Sequence, residues 1–112
     1  MSFVRWFLQR ITGLLLVACL GAHTIILHFT GHSPVDINVV HDRLKDSFWL
    51  VFYIVFLAST LFHGLNGLYE VIEDYKPSRS VQSLLGIACW CAGFVALVWG
   101  VYVLMAWRNI TL

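Results

Sequence analysis

Hydrophobic and polar positions along the chain fall into three long uncharged apolar runs separated by two polar breaks. The first run covers residues 11 to about 29, the second 48–69 and the third 81–107. Each reaches the roughly 20 residues that a helix needs to cross the hydrocarbon core of a bilayer. Arg5, Trp6 and Arg10 precede the first run, Glu70, Glu73 and Asp74 end the second, and Trp107 and Arg108 close the third. Such charged and aromatic residues mark membrane interfaces. A polar loop at 30–47, with Pro34, three aspartates, Arg43 and Lys45, joins the first two runs. A short turn, Lys76-Pro77-Ser78-Arg79-Ser80, joins the last two, and Pro77 stops the helix there. The pattern predicts an all-α membrane protein with helices over about 11–29, 48–72 and 81–107, alternating in direction within one domain of residues 1–112.

Composition supports lipid as the solvent. Of the 112 residues 60% are hydrophobic and 12% charged, and the mean hydropathy is +0.82. A soluble domain this short could not bury so much apolar surface. The net charge of +1 gives no reason to expect nucleic acid as a partner. Cys19, Cys89 and Cys91 all lie in apolar runs and read as small core residues, not as a disulfide framework or a zinc site. On a helix, Cys89 and Cys91 point roughly 160° apart. Leu16-Val17-Ala18-Cys19 resembles a lipoprotein cleavage box, but the run stays apolar through Ile25, Ile26, Leu27 and Phe29, which favours a retained membrane helix. Arg5, Arg10, Lys76 and Arg79 fall on one side of the membrane and Arg43, Lys45 and Arg108 on the other, a bias toward a cytoplasmic amino terminus.

Candidate chemistry concentrates in residues 61–75, Leu-Phe-His-Gly-Leu-Asn-Gly-Leu-Tyr-Glu-Val-Ile-Glu-Asp-Tyr. An ionisable side chain inside a membrane span marks a site by default. His63 is such a residue, and a neutral imidazole in lipid can bind haem iron. Gly64 and Gly67 keep the helix thin where a macrocycle would lie. The competing reading is glycines for helix packing and an interhelical hydrogen bond. Asp74 lies eleven residues beyond His63, about 16 Å along a helix or half a bilayer core. One helix thus offers a metal-ligand imidazole at mid-membrane depth and a proton-capable cluster at the surface, which suits electron transfer to a lipid-soluble, proton-accepting carrier. Asp74 and Tyr75 could hydrogen-bond a quinone carbonyl and relay protons, although tyrosine at an interface is also ordinary. His23, beside Gly21, is balanced between a metal ligand and an interhelical hydrogen bond. His28 is accounted for by interface polarity, and His32 and His41 by a solvated loop. Arg10, the charge at the entrance to the first span, could pair with head groups or with a buried anion such as a haem propionate.

His63-Gly-Leu-Asn-Gly67 followed by Asp74-Tyr75 resembles the second-helix motif of the small D-type cytochrome b membrane-anchor subunit of succinate dehydrogenase. Arg10-Ile-Thr-Gly13 in the first helix is similar to that family's Arg-x-Ser/Thr-Gly opening. The resemblance covers nearly the whole chain, and the second-helix motif is the more specific of the two. It implies a membrane-anchor domain within a heteromeric helix bundle, in a complex of four different subunits, and a bacterial cytoplasmic membrane. A flavoprotein subunit carrying FAD would oxidise succinate, and an iron–sulfur subunit would carry the electrons to the membrane. Two anchors, this chain and a second cytochrome b subunit, would hold haem b and build the quinone site. By that likeness His63 is an axial haem ligand opposed by a ligand on the other anchor, Tyr75 hydrogen-bonds the quinone and Asp74 lies beside it. Gly21-Ala-His23 resembles the first-helix ligand region of anchors that carry two haems, which leaves the count at one haem or two. Fumarate reductase or another quinone-linked dehydrogenase, or a purely structural three-helix protein, are the alternatives.

Overall fold

In lipid, a backbone can satisfy its N–H and C=O groups only within helices or closed barrels. The computed structural model, which describes residues 2–29 and 36–111, shows the helical solution. Four helices follow in order: α1 (Phe3–Phe29), α2 (Ile37–Lys45), α3 (Ser47–Asp74) and α4 (Arg79–Asn109). Helices α1, α3 and α4 are each long and apolar enough to cross a membrane. Their 27, 28 and 31 residues correspond to about 40–46 Å at 1.5 Å per residue, so both ends project beyond a 30 Å hydrocarbon core.

The three spans agree with the sequence, while their boundaries differ. Helix α1 begins at Phe3, so Arg5 and Arg10 both lie on it and Arg10 is not the sole charge at its entrance. A long basic side chain can bury its stem and lift its head toward the interface, so a charge need not end a helix. Helix α3 runs on to Asp74, where Tyr75 caps it in a helical conformation. Lys76 then turns to φ 50° and its N–H bonds the Glu73 carbonyl, a left-handed stop just before Pro77.

The expected loop at 30–47 contains a helix. Asp36 accepts from the Asn38 N–H to start α2, and Asp46 accepts from the Phe48 N–H to start α3. Helix α2 presses His41 and Leu44 inward, each only 3% exposed. His41 is therefore not a solvated loop residue. Its Nε2 donates to the Ile110 carbonyl, while Arg108 donates to the Lys45 carbonyl at 3.4 Å. These reciprocal bonds strap α2 across the end of α4. His32 lies outside the described residues.

Helix α3 is central, with α1 on one flank and α4 on the other; α1 and α4 make no close backbone approach among the described residues. Little is buried in this single chain. Among the described residues the buried set is Thr12, Cys19, His41, Leu44, Leu50, Ser59 and Asn66, and α4 contributes nothing to it. Cys91 is exposed, so only Cys19 of the three cysteines is a buried core residue. Without a hydrophobic drive between helices in lipid, close packing relies on small residues. On α4, Gly86, Gly93 and Gly100 recur every seven residues and receive Tyr69, Leu65 and Leu57 of α3.

Candidate functional site

The α1–α3 contact carries a seam of polar side chains. Its hub is Asn66, 7% exposed. The Asn66 Oδ1 accepts from Arg5 Nε at 3.0 Å, and its Nδ2 donates to Gln9 Oε1 and to Glu70 Oε1, each at 2.8 Å. Arg5 also lies over the Tyr69 ring, 4.8 Å from its centroid, and 3.7 Å from Glu73. Gln82 of α4 donates to Glu73 at 3.3 Å. In a water-poor setting such groups must satisfy one another, and the seam therefore fixes how α1 and α3 meet. Asn66, Tyr69, Glu70 and Glu73 belong to the stretch 61–75 marked by the sequence and Arg5 to its interface residues, but the sequence assigns none of them a partner across the helices. Arg5 and Glu73 carry an interface signal, Asn66 appears as part of the second-helix motif, and neutral Gln9, just ahead of the first apolar run, carries almost none.

His63 sits at the inner end of this seam. Its Nδ1 is 3.2 Å from the Gln9 carbonyl oxygen and 3.3 Å from Thr12 Oγ1. A carbonyl can only accept, which assigns the ring proton to Nδ1. Nε2 then keeps its lone pair and has no hydrogen bond among the described residues. The Gln9 amide also donates to the His63 carbonyl at 3.3 Å, so one residue grips His63 at ring and backbone. Gly64 faces open space: a Cβ built there meets nothing within 4 Å. A flat group can approach the helix at this level, and the donor set presented to it is one unprotonated imidazole nitrogen.

His23 occupies a different depth on the same helix pair. It packs edge-on against Tyr53 and Phe56 of α3, with ring centroids 5.6 and 5.8 Å away. Its Nδ1 is buried with no hydrogen-bond partner, and Gly21 beside it faces open space. Eleven residues of α1 separate the Thr12 and His23 levels, about 16 Å. The two imidazoles are thus staged along the membrane normal and are not joint ligands of one atom.

The remaining candidates are not drawn into the seam. Arg10 is exposed, with its guanidinium 5.4 Å from the centroid of the Trp6 ring on the same helix. Asp74 is exposed, and Tyr75 is 84% exposed at the end of α3. Neither side chain makes a hydrogen bond among the described residues. A cavity of about 270 Å³ opens between α3 and α4 beside the seam, with Arg5, Asn66 and Tyr69 at its edge and side chains such as Leu65, Trp90 and Phe94 lining the rest; His63 does not line it.

A family model described as succinate dehydrogenase/fumarate reductase transmembrane subunit matches residues 2–101. The chain belongs to this family. Among its relatives is the succinate dehydrogenase hydrophobic membrane anchor subunit of Thermoplasma acidophilum, 30% identical over 95 residues, covering 84% of this chain and 77% of that one. The protein of the same name from Archaeoglobus fulgidus is 27% identical over 103 residues, covering 92% and 88%. That from Rickettsia felis is 33% identical over 82 residues, covering 72% and 66%. Arg10, His23, His63, Asp74 and Tyr75 all fall inside the part matched by the family, as do Arg5, Gln9, Thr12 and Asn66. The exposed apolar flanks of α1 and α4 suit the membrane setting of a transmembrane subunit of this family.

Proposed function

We propose that this chain is the haem b-binding anchor of a succinate dehydrogenase, passing electrons from an iron–sulfur subunit to membrane quinone. The observation that carries the reading is the His63 hydrogen-bond pattern, in which Nδ1 is committed to α1 and Nε2 is left as a ligand. Haem b, when bound, supplies a one-electron carrier within the membrane. His63 would hold it from α3 together with a residue of a second cytochrome b anchor, and Arg10 would meet a propionate. Two-haem occupancy finds support in His23, whose orphaned Nδ1 and open Gly21 flank match a second ligand position. One residue past Asp74, Tyr75 lies twelve residues from His63, about 18 Å along the helix. Its phenol would donate to a quinone oxygen as negative charge develops on reduction, with Asp74 helping to supply protons.

Succinate oxidation itself would take place on a flavoprotein partner carrying FAD, so this chain alone would have no activity toward succinate. The same anchor geometry would serve fumarate reduction, since that choice lies on another subunit. The setting proposed is a bacterial cytoplasmic membrane with the amino terminus in the cytoplasm, as the Lys/Arg bias favours. Purification through an affinity tag on this chain tests the reading. The expected result is co-purification of a flavoprotein, an iron–sulfur protein and a second small membrane subunit, with one or two haems per complex. A complete complex without haem would contradict it.

A further inference from the structure

The geometry points to Thr12 and Gly13 as the cradle of the His63 imidazole, with Thr12 tuning the strength of the bond that His63 makes to iron. This rests on the haem reading above and assigns a task to two residues of α1 that contact the His63 ring. Gly13 gives the ring its room: a Cβ there would lie 3.2 Å from His63 Cε1 and 3.7 Å from Nδ1. A side chain there would press on the imidazole, which would have to yield by a few tenths of an ångström. Thr12 is buried, with 8% of its surface exposed. Its hydroxyl proton is directed to the Leu8 carbonyl at 2.7 Å, which leaves an oxygen lone pair for the Nδ1–H of His63 at 3.3 Å. That proton is therefore shared between two acceptors, the Thr12 hydroxyl and the Gln9 carbonyl.

The consequence follows from imidazole electronics. Acceptors on Nδ1–H draw its proton outward and make Nε2 a more basic donor. A more basic axial nitrogen favours the ferric over the ferrous state, so the Thr12 contact lowers the reduction potential of the haem on His63. The Gln9 carbonyl belongs to the backbone and persists through substitution, whereas the Thr12 acceptor can be removed alone. Thr12 is accordingly a positioning residue whose effect is read in a potential and a spectrum as well as in assembly.

Thr12→Val keeps the branched shape and removes the acceptor. In the purified four-subunit complex, haem content should stay at the wild-type ratio. The midpoint potential of the His63 haem should move upward in a redox titration, and its low-spin g-values should shift. If two haems are present, only one of the two potentials should move. Thr12→Ser, which restores the hydroxyl, should return both signals toward wild type. Gly13→Ala should disturb the g-values by displacing the ring, even with the acceptor intact. A fully loaded Thr12→Val complex with unchanged potential and g-values would overturn the inference, as would a shift that Thr12→Ser fails to reverse. Should Thr12→Val not assemble, Thr12→Ser and Gly13→Ala carry the test, and wild-type g-values in Gly13→Ala would overturn it. Failure of the haem reading looks different: His63→Ala would then leave the haem spectrum untouched.

Discussion

Tyr75 and His23 are the residues whose roles separate most cleanly by substitution. Tyr75→Phe keeps the ring and removes only the donor, and the exposed side chain has no hydrogen bond to lose among the described residues. Haem content and succinate oxidation with a soluble dye acceptor should stay near wild type, while quinone reduction should slow by roughly 10²-fold or more. Equal loss of both activities would indicate damaged assembly, and normal quinone reduction would remove Tyr75 from the site. For His23, a two-haem complex should show two potentials, and His23→Leu should delete one of them. A single haem with a silent His23→Leu spectrum would return this residue to packing against Tyr53 and Phe56. His63 could be picked out from the sequence because a titratable group in an apolar run is rare and costly. Its supports could not. Gln9 and Thr12 are ordinary polar residues whose partner lies 54 and 51 positions away, and no local pattern encodes such a distance.

At the level of helices, the seam and the glycine row bind α3 to its two neighbours by different means. Asn66 makes two interhelical hydrogen bonds, one of them to a guanidinium. Interhelical bonds in membranes average about 0.6 kcal/mol, and a charged partner raises this, so Asn66→Leu should cost on the order of 1–2 kcal/mol. Thermal inactivation of the detergent-solubilised complex would register the loss; an unchanged midpoint would show that the seam is dispensable. On the other flank, a Cβ at Gly93 would fall 2.7 Å from Leu65 Cδ1. Gly93→Val should therefore separate α3 from α4 and destabilise by about 1–3 kcal/mol through overpacking, measured in the same way, whereas Gly93→Ala needs only a shift of a flexible leucine tip. The spans were legible because lipid demands long apolar helices. The ends of α3 and α4 fall within two residues of the expected 48–72 and 81–107, whereas the start of α1 was hidden, since Arg5 and Arg10 ride on the helix and do not terminate it. Helix α2 is only nine residues long, yet it did leave a trace: an Asp36 cap followed by apolar Ile37, Val40 and Leu44 at helical spacing.

Viewed whole, the molecule is a row of three spanning helices with α2 strapped across one end, and its single-chain surface is mostly apolar. Leu84, Ile87, Trp90, Phe94, Val98 and Tyr102 of α4 are all more than half exposed. Such a surface is stable in lipid or against other membrane helices and would aggregate in water. The polar seam rises from Glu73 at the end of α3 to His63, placing the imidazole deep in the helix pair and Tyr75 at its rim. The proposal that His63 binds haem b deep in the helix pair is the central one. The reduced-minus-oxidised absorption spectrum of an assembled His63→Ala complex tests it most directly. The band of one low-spin haem should be lost or altered relative to wild type; an unchanged spectrum with unchanged haem stoichiometry would contradict the assignment.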